Sequence, residues 1–173
     1  MHSIYTKPVA CDDADVNLRR MFNELQPKQY NPFLLLDEIG SDEAADYISG
    51  FPSYPHCGFE TVTYMLEGRM LREDHLGNKG LLQNGDVWWM TAARGIIHSE
   101  MPQQEEGYMS GFQLWVNLPA VEKMKDPSYR DIPAANIPMR VIDGTACNVI
   151  AGKPMLGGET VKDTSPSFLK LSA

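Results

Sequence analysis

The chain has 173 residues, 43% of them hydrophobic and 22% charged, enough for one hydrophobic core and too few for two full-sized domains. Fifteen basic against twenty-three acidic residues leave a formal charge of -8, which argues against nucleic-acid binding, since that runs on Lys and Arg at the phosphates. Three cysteines (Cys11, Cys57, Cys147) without a C-x-x-C pair, no apolar signal segment and no aliphatic run longer than residues 33–36 point away from a disulfide scaffold, a structural zinc site, secretion and the membrane, and towards the cytoplasm.

Helical periodicity is nearly absent, and 14 Gly and 12 Pro punctuate the chain at the spacing of an all-β sandwich or barrel. In chain order, residues 37–46 are acidic and read as a solvated loop. Residues 59–66, between Gly58 and Gly68, are rich in β-branched and aromatic side chains and predict a strand, with the next one over 68–74. Residues 75–80 carry turn chemistry with two glycines, and Asn84-Gly85-Asp86 is a second turn leading into a strand at 87–91. Residues 96–100 are short and extended and stop at Pro102, and 111–117 are strongly β-prone. Only residues 119–125 resemble a helix, entered at a proline and closed by Asp126-Pro127.

Four histidines narrow the search for chemistry. His2 is terminal and His75 lies in the glycine-rich turn, where an exposed imidazole is expected. His56 and His98 each sit in a strand-like stretch with a polar partner two residues away, and residues i and i+2 of a strand share a face. Tyr54 and His56 therefore project together, as do His98 and Glu100. If the two strands lie across a barrel mouth, two imidazoles, a carboxylate and a phenol converge, and two His with one carboxylate suit a non-haem Fe(II) site. The alternative is a buried His and Glu that merely pair with each other. Cys57 points to the face opposite His56 and reads as a buried core thiol. Of Trp88 and Trp89, alternation lets only one face the interior.

The segments PFLLLDE (32–38), HCGFETVTYMLEG (56–68), LGNKG (76–80), GDVWWMTAARGIIHSEMP (85–102) and QLWVNLP (113–119) closely resemble the pirin family of the cupin superfamily. The resemblance implies an all-β fold: a pirin-like N-terminal cupin barrel over 1–143 and a partial second cupin over 144–173. It implies one mononuclear transition metal, iron first, with Mn, Co, Ni, Cu or Zn as alternatives, held by an H-x-H and an H-x-E pair. The second pair matches His98 and Glu100, and the second His of the first pair matches His56. The first His falls on Tyr54, because the family's PHPH run reads Ser53-Tyr54-Pro55-His56 here, and Cys57 replaces the Arg that follows.

Two readings of the site stay open. In one, His56, His98 and Glu100 hold the metal while Tyr54 lines the pocket or coordinates as phenolate. In the other, the metal is lost and the Tyr54 hydroxyl bonds Glu100 or His98. Glu60 is a possible substitute carboxylate, with an ion pair to Arg94 as its preferred role. The resemblance implies either a quercetin (flavonol) 2,3-dioxygenase with Glu100 as catalytic base, or an iron-dependent redox-sensing module that binds a regulatory protein, or a degenerate cupin. The short C-terminal segment leads to the further expectation of a homodimer, in which residues after about Asp143, ending in the apolar stretch 168–171, cover exposed strand edges.

Overall fold

Short runs of β-branched, aromatic and aliphatic residues, separated by Gly, Pro, Asn and Asp, fold as strands joined by tight turns. The computed structural model describes residues 10–11, 16–23, 27–142, 144–152, 155–156 and 159–160. The chain divides into two compact units, Met1–Asp131 and Ile132–Ala173.

The first unit carries β1 (Ala10–Cys11), β2 (Asn17–Phe22), β3 (Phe33–Ser41), β4 (Phe51–His56), β5 (Phe59–Glu67), β6 (Met70–Asp74), β7 (Lys79–Leu82), β8 (Val87–Thr91), β9 (Ile96–Pro102), β10 (Met109–Asn117) and β11 (Ser128–Ile132). Among the described residues these form a seven-stranded sheet, β1-β2-β3-β10-β5-β8-β11, and a four-stranded sheet, β4-β9-β6-β7. Leu18, Ile39, Met65, Trp88 and Met109 of the larger sheet pack with Phe51, Met70 and Leu82 of the smaller one in a single buried cluster. The two sheets therefore close face to face around one core, an all-β barrel of the cupin type. Two glycines make close approaches possible. A Cβ on Gly111, in the middle of β10, would lie 2.7 Å from the Tyr64 carbonyl oxygen, and one on Gly50 would lie 2.9 Å from that of Glu100. The second unit holds two antiparallel pairs, β12 (Met139–Ile142) with β13 (Thr145–Asn148), and β14 (Met155–Leu156) with β15 (Glu159–Thr160). The stretch 168–171 lies outside the described residues. Among the described residues, no helix is long and apolar enough to cross a membrane.

Several local expectations need correcting. The acidic stretch 37–46 is strand as far as Ser41, followed by a 3-10 turn at Ala44–Asp46. Asp37 is 4% exposed, and Arg20, directly opposite on β2, donates to both of its oxygens at 2.9 and 2.8 Å. That compensation comes from another strand, which local polarity cannot reveal. The helix expected over 119–125 is one 3-10 turn, Ala120–Glu122, because Val121 and Met124 remain 87% and 76% exposed and have no apolar face to bury. A single helical turn, Pro27–Tyr30, forms where none was expected. Cys57 is exposed rather than buried. Strand β4 ends at His56, so alternation no longer governs where Cys57 points. Trp88 enters the core, while Trp89 is also buried, on the other face of β8 opposite Val62.

Candidate functional site

The site is built on the smaller sheet. β4 and β9 are not across a barrel mouth from each other; they are hydrogen-bonded neighbours, with Tyr54 opposite His98 and His56 opposite Ile96. On the other side of β9, Arg72 of β6 lies opposite Glu100 and Asp74 opposite His98. Period-two alternation then turns Tyr54, His56, His98 and Glu100 to one face, as their spacing leads one to expect. The His56 and His98 rings are 4.9 Å apart, and Tyr54 meets them at 4.6 and 5.2 Å. Glu100 Oε1 stands 4.0 Å from His98 Nδ1. His56, His98 and Glu100 are 4%, 1% and 2% exposed, while Tyr54 is half-buried. Phe59 and Trp115, stacked at 4.6 Å, pack beside this group, each with its ring centre 5.0 Å from that of His56.

Glu60 does not join this group. The chain breaks strand at Cys57-Gly58, so the parity of β4 does not carry into β5, and Phe59 faces His56 instead. Glu60 accepts a hydrogen bond from the Thr91 hydroxyl at 2.7 Å, and the expected Arg94 pairs with Asp126 at 2.8 Å. Residues that the sequence reading did not place at the site surround it. Gln113 donates to Glu100 Oε2 at 3.1 Å, and Thr63 is a second donor to that carboxylate. Arg72, 3% exposed, lies between the rings of Trp88 (4.9 Å) and Tyr129 (3.8 Å), with Asp131 at 3.4 Å. A polar Gln at the inward parity of an otherwise apolar strand was the available signal for Gln113. Arg72 and Tyr129 had none, since their proximity depends on the pairing of distant strands.

Burial dominates the electrostatics. It lowers the His56 pKa to about 3, helped by the neighbouring His98, and that of His98 to about 4, helped by the Arg72 charge and opposed by Asp74. Both imidazoles are therefore neutral at pH 7. Burial raises Glu100 to about 7 against the opposing pull of Arg72, Thr63 and Gln113. Tyr129 is pushed above its ordinary value by burial and by Asp74.

The chemistry of the donors fits a divalent transition metal. His56 Nε2 and both ring nitrogens of His98 are buried without a hydrogen-bond partner, an arrangement that is costly unless something accepts those lone pairs or protons. The geometry fits less well. Among the described residues no group of three or more His, Cys, Asp or Glu side chains is arranged to hold a metal as it stands. Glu100 is hydrogen-bonded to Gln113 and Thr63, and its other oxygen stands 4.0 Å from His98 Nδ1.

Comparison with known proteins agrees with this architecture. The Pirin family model matches residues 15–116, more than half of the chain. A Pseudomonas aeruginosa protein provisionally named quercetin 2,3-dioxygenase is 50% identical over 97% of this chain and 61% of its own length. Human pirin is 45% identical over 80% of this chain and 46% of its own. The crystal structure of a quercetin 2,3-dioxygenase from Acinetobacter baumannii superposes with a TM-score of 0.75 at 31% identity, covering 92% of this chain and 58% of that one. This chain thus spans roughly half to three fifths of the length of these relatives. On the family match and the shared barrel together, the chain belongs to the pirin family.

Proposed function

We propose that the chain binds one transition metal, iron first, on the inner face of the paired strands β4 and β9 and acts as a flavonol 2,3-dioxygenase-type oxidoreductase. The observation that carries this reading is the set of unpartnered buried imidazole nitrogens on His56 and His98 beside the Glu100 carboxylate. The names of the Pseudomonas and Acinetobacter relatives supply the substrate class. His56 and His98 would hold the metal, with Glu100 and the half-buried Tyr54 beside them. Bound there, the metal would supply Lewis acidity towards a substrate hydroxyl and, as iron, one-electron chemistry towards O₂.

Glu100 is the base. A carboxyl group with a pKa of about 7 is substantially ionised at neutral pH yet basic enough to take the proton of an acidic flavonol hydroxyl. Phe59 and Trp115, stacked on each other beside His56, give the site aromatic surroundings that suit a planar ring. Tyr54, edge-on to His56, occupies the position of the family's missing histidine.

The experiment is O₂ uptake with quercetin after reconstitution with Fe(II), Mn(II), Co(II), Ni(II) or Cu(II), alongside metal analysis. Glu100→Gln should lower turnover by about 10²- to 10⁴-fold while the circular dichroism spectrum is kept. Metal uptake without flavonol turnover would favour the redox-sensing interaction module, and no metal uptake would make the chain a degenerate cupin. Self-association through a two-fold axis is part of the proposal, because among the described residues β7 ends the small sheet and carries the exposed Leu81. Light scattering at micromolar concentration reads it.

A further inference from the structure

Gln113 lies on β10 opposite Thr63 of β5, with Glu100 of the other sheet facing it across the barrel. Its amide is used at both ends. Nε2 donates to Glu100 Oε2 at 3.1 Å, and Oε1 accepts from Trp115 Nε1 at 3.0 Å. An indole N–H can only donate, so it determines which end of the amide is oxygen, and the NH₂ must then face the carboxylate. Gln113 is 7% exposed, so water has little room to replace either partner. With Oε2 tied to Gln113, Oε1 is the oxygen nearest His98, 4.0 Å from Nδ1.

We propose that Trp115 and Gln113 are positioning residues acting in series: the indole sets the amide, and the amide, with the Thr63 hydroxyl as a second donor to the carboxylate, holds Glu100 with Oε2 anchored and Oε1 nearest His98. The inference rests on Glu100 being the working carboxylate of the site. Its competitor is simple packing, since the Trp115 ring also contacts His56 and Phe59. The two differ in additivity. A relay in series loses everything once its middle member is gone, whereas packing by Trp115 is independent of the Gln113 amide.

The test uses the full chain in two arms. In the metal-free protein, the Trp115 indole N–H resonance in ¹H–¹⁵N spectra should shift and exchange faster in Gln113→Met. It should also shift in Glu100→Ala, although that residue does not touch the indole. In the second arm, Co(II) affinity by competition titration should fall by about tenfold in Gln113→Met, the scale seen when a ligand's hydrogen-bond partner is removed. Adding Trp115→Phe to Gln113→Met should bring no further loss, and Gln113→Met should have no effect in a Glu100→Gln background. Should Gln113→Met not fold, Trp115→Phe alone carries the comparison, with its loss vanishing in the Glu100→Gln background. Additive losses, or a Gln113→Met effect undiminished in that background, overturn the relay. If the wild type takes up no Co(II), the metal reading fails separately, and an indole resonance unmoved by both Gln113→Met and Glu100→Ala overturns the relay by itself.

Discussion

Acidifying the metal-free protein should destabilise it well above the pH at which ordinary carboxylates titrate, because two buried imidazoles must stay neutral in the fold. His56 and His98 have folded pKa values of about 3 and about 4, against 6.5 when unperturbed. A depressed histidine leaves its full contribution in place above about pH 6.5, and that contribution is lost as the pH falls towards the folded value. Glu100 works the other way. Raised from 4.5 to about 7, it is protonated more readily in the fold, and it costs stability progressively as the pH rises through that interval. Between about pH 4.5 and 6.5 the unfolded chain therefore holds about two extra protons on histidine and the folded chain about one on Glu100. The net of about one proton more in the unfolded chain corresponds to a little over 1 kcal/mol per pH unit. Stability should accordingly climb by about 2–3 kcal/mol from pH 4.5 to a maximum near 6.5, then dip slightly and level off above 7. Urea unfolding followed by tryptophan fluorescence in the presence of chelator measures the profile. His98→Gln removes one of the two opposing protons and should nearly flatten the limb between 4.5 and 6.5. A wild-type profile that is flat or falling over that interval, or a slope unchanged in His98→Gln, would refute the assignment of buried neutral imidazoles.

Tyr54→His should restore the family's fourth donor and raise iron retention about tenfold or more against a chelator, read as metal content after dialysis. Arg20→Met should cost about 3–5 kcal/mol, because it strands the Asp37 carboxylate, 6% exposed, without its cation. Asp37→Asn should cost less, since the Arg20 side chain is 34% exposed and can turn to water; equal losses in urea midpoint would contradict this. Gly111→Ala should cost about 1–3 kcal/mol, since its Cβ would sit 2.7 Å from the Tyr64 carbonyl oxygen on the paired strand, and an unchanged thermal midpoint would show that β10 can shift.

The elements and the site differ in how much of each can be read along the chain. Val87–Thr91 is bounded by turn residues on both sides, and the predicted strand coincides with β8 because punctuation and β-propensity are local properties. The pairing of His56 with Tyr54 and of His98 with Glu100 was legible for the same reason, as strand alternation needs only a spacing of two. The motifs from Pro32 to Pro119 carried the family. What local pattern could not supply was which strands become neighbours. That β4 pairs with β9, putting Tyr54 opposite His98, depends on a register between segments some forty residues apart. The burial of Asp37 depends on Arg20 lying opposite it, and the company of Glu100 depends on Gln113 from the facing sheet and Arg72 from β6. Cys57 and Glu60 were misread because alternation lapses where β4 ends at His56, and because the break at Cys57-Gly58 resets the count. Sequence therefore determined the strands, the family and the identity of the candidate donors. Tertiary structure alone decided their partners and their burial, and with these the neutral histidines and the raised Glu100, because those follow from side chains brought together by non-local strand pairing.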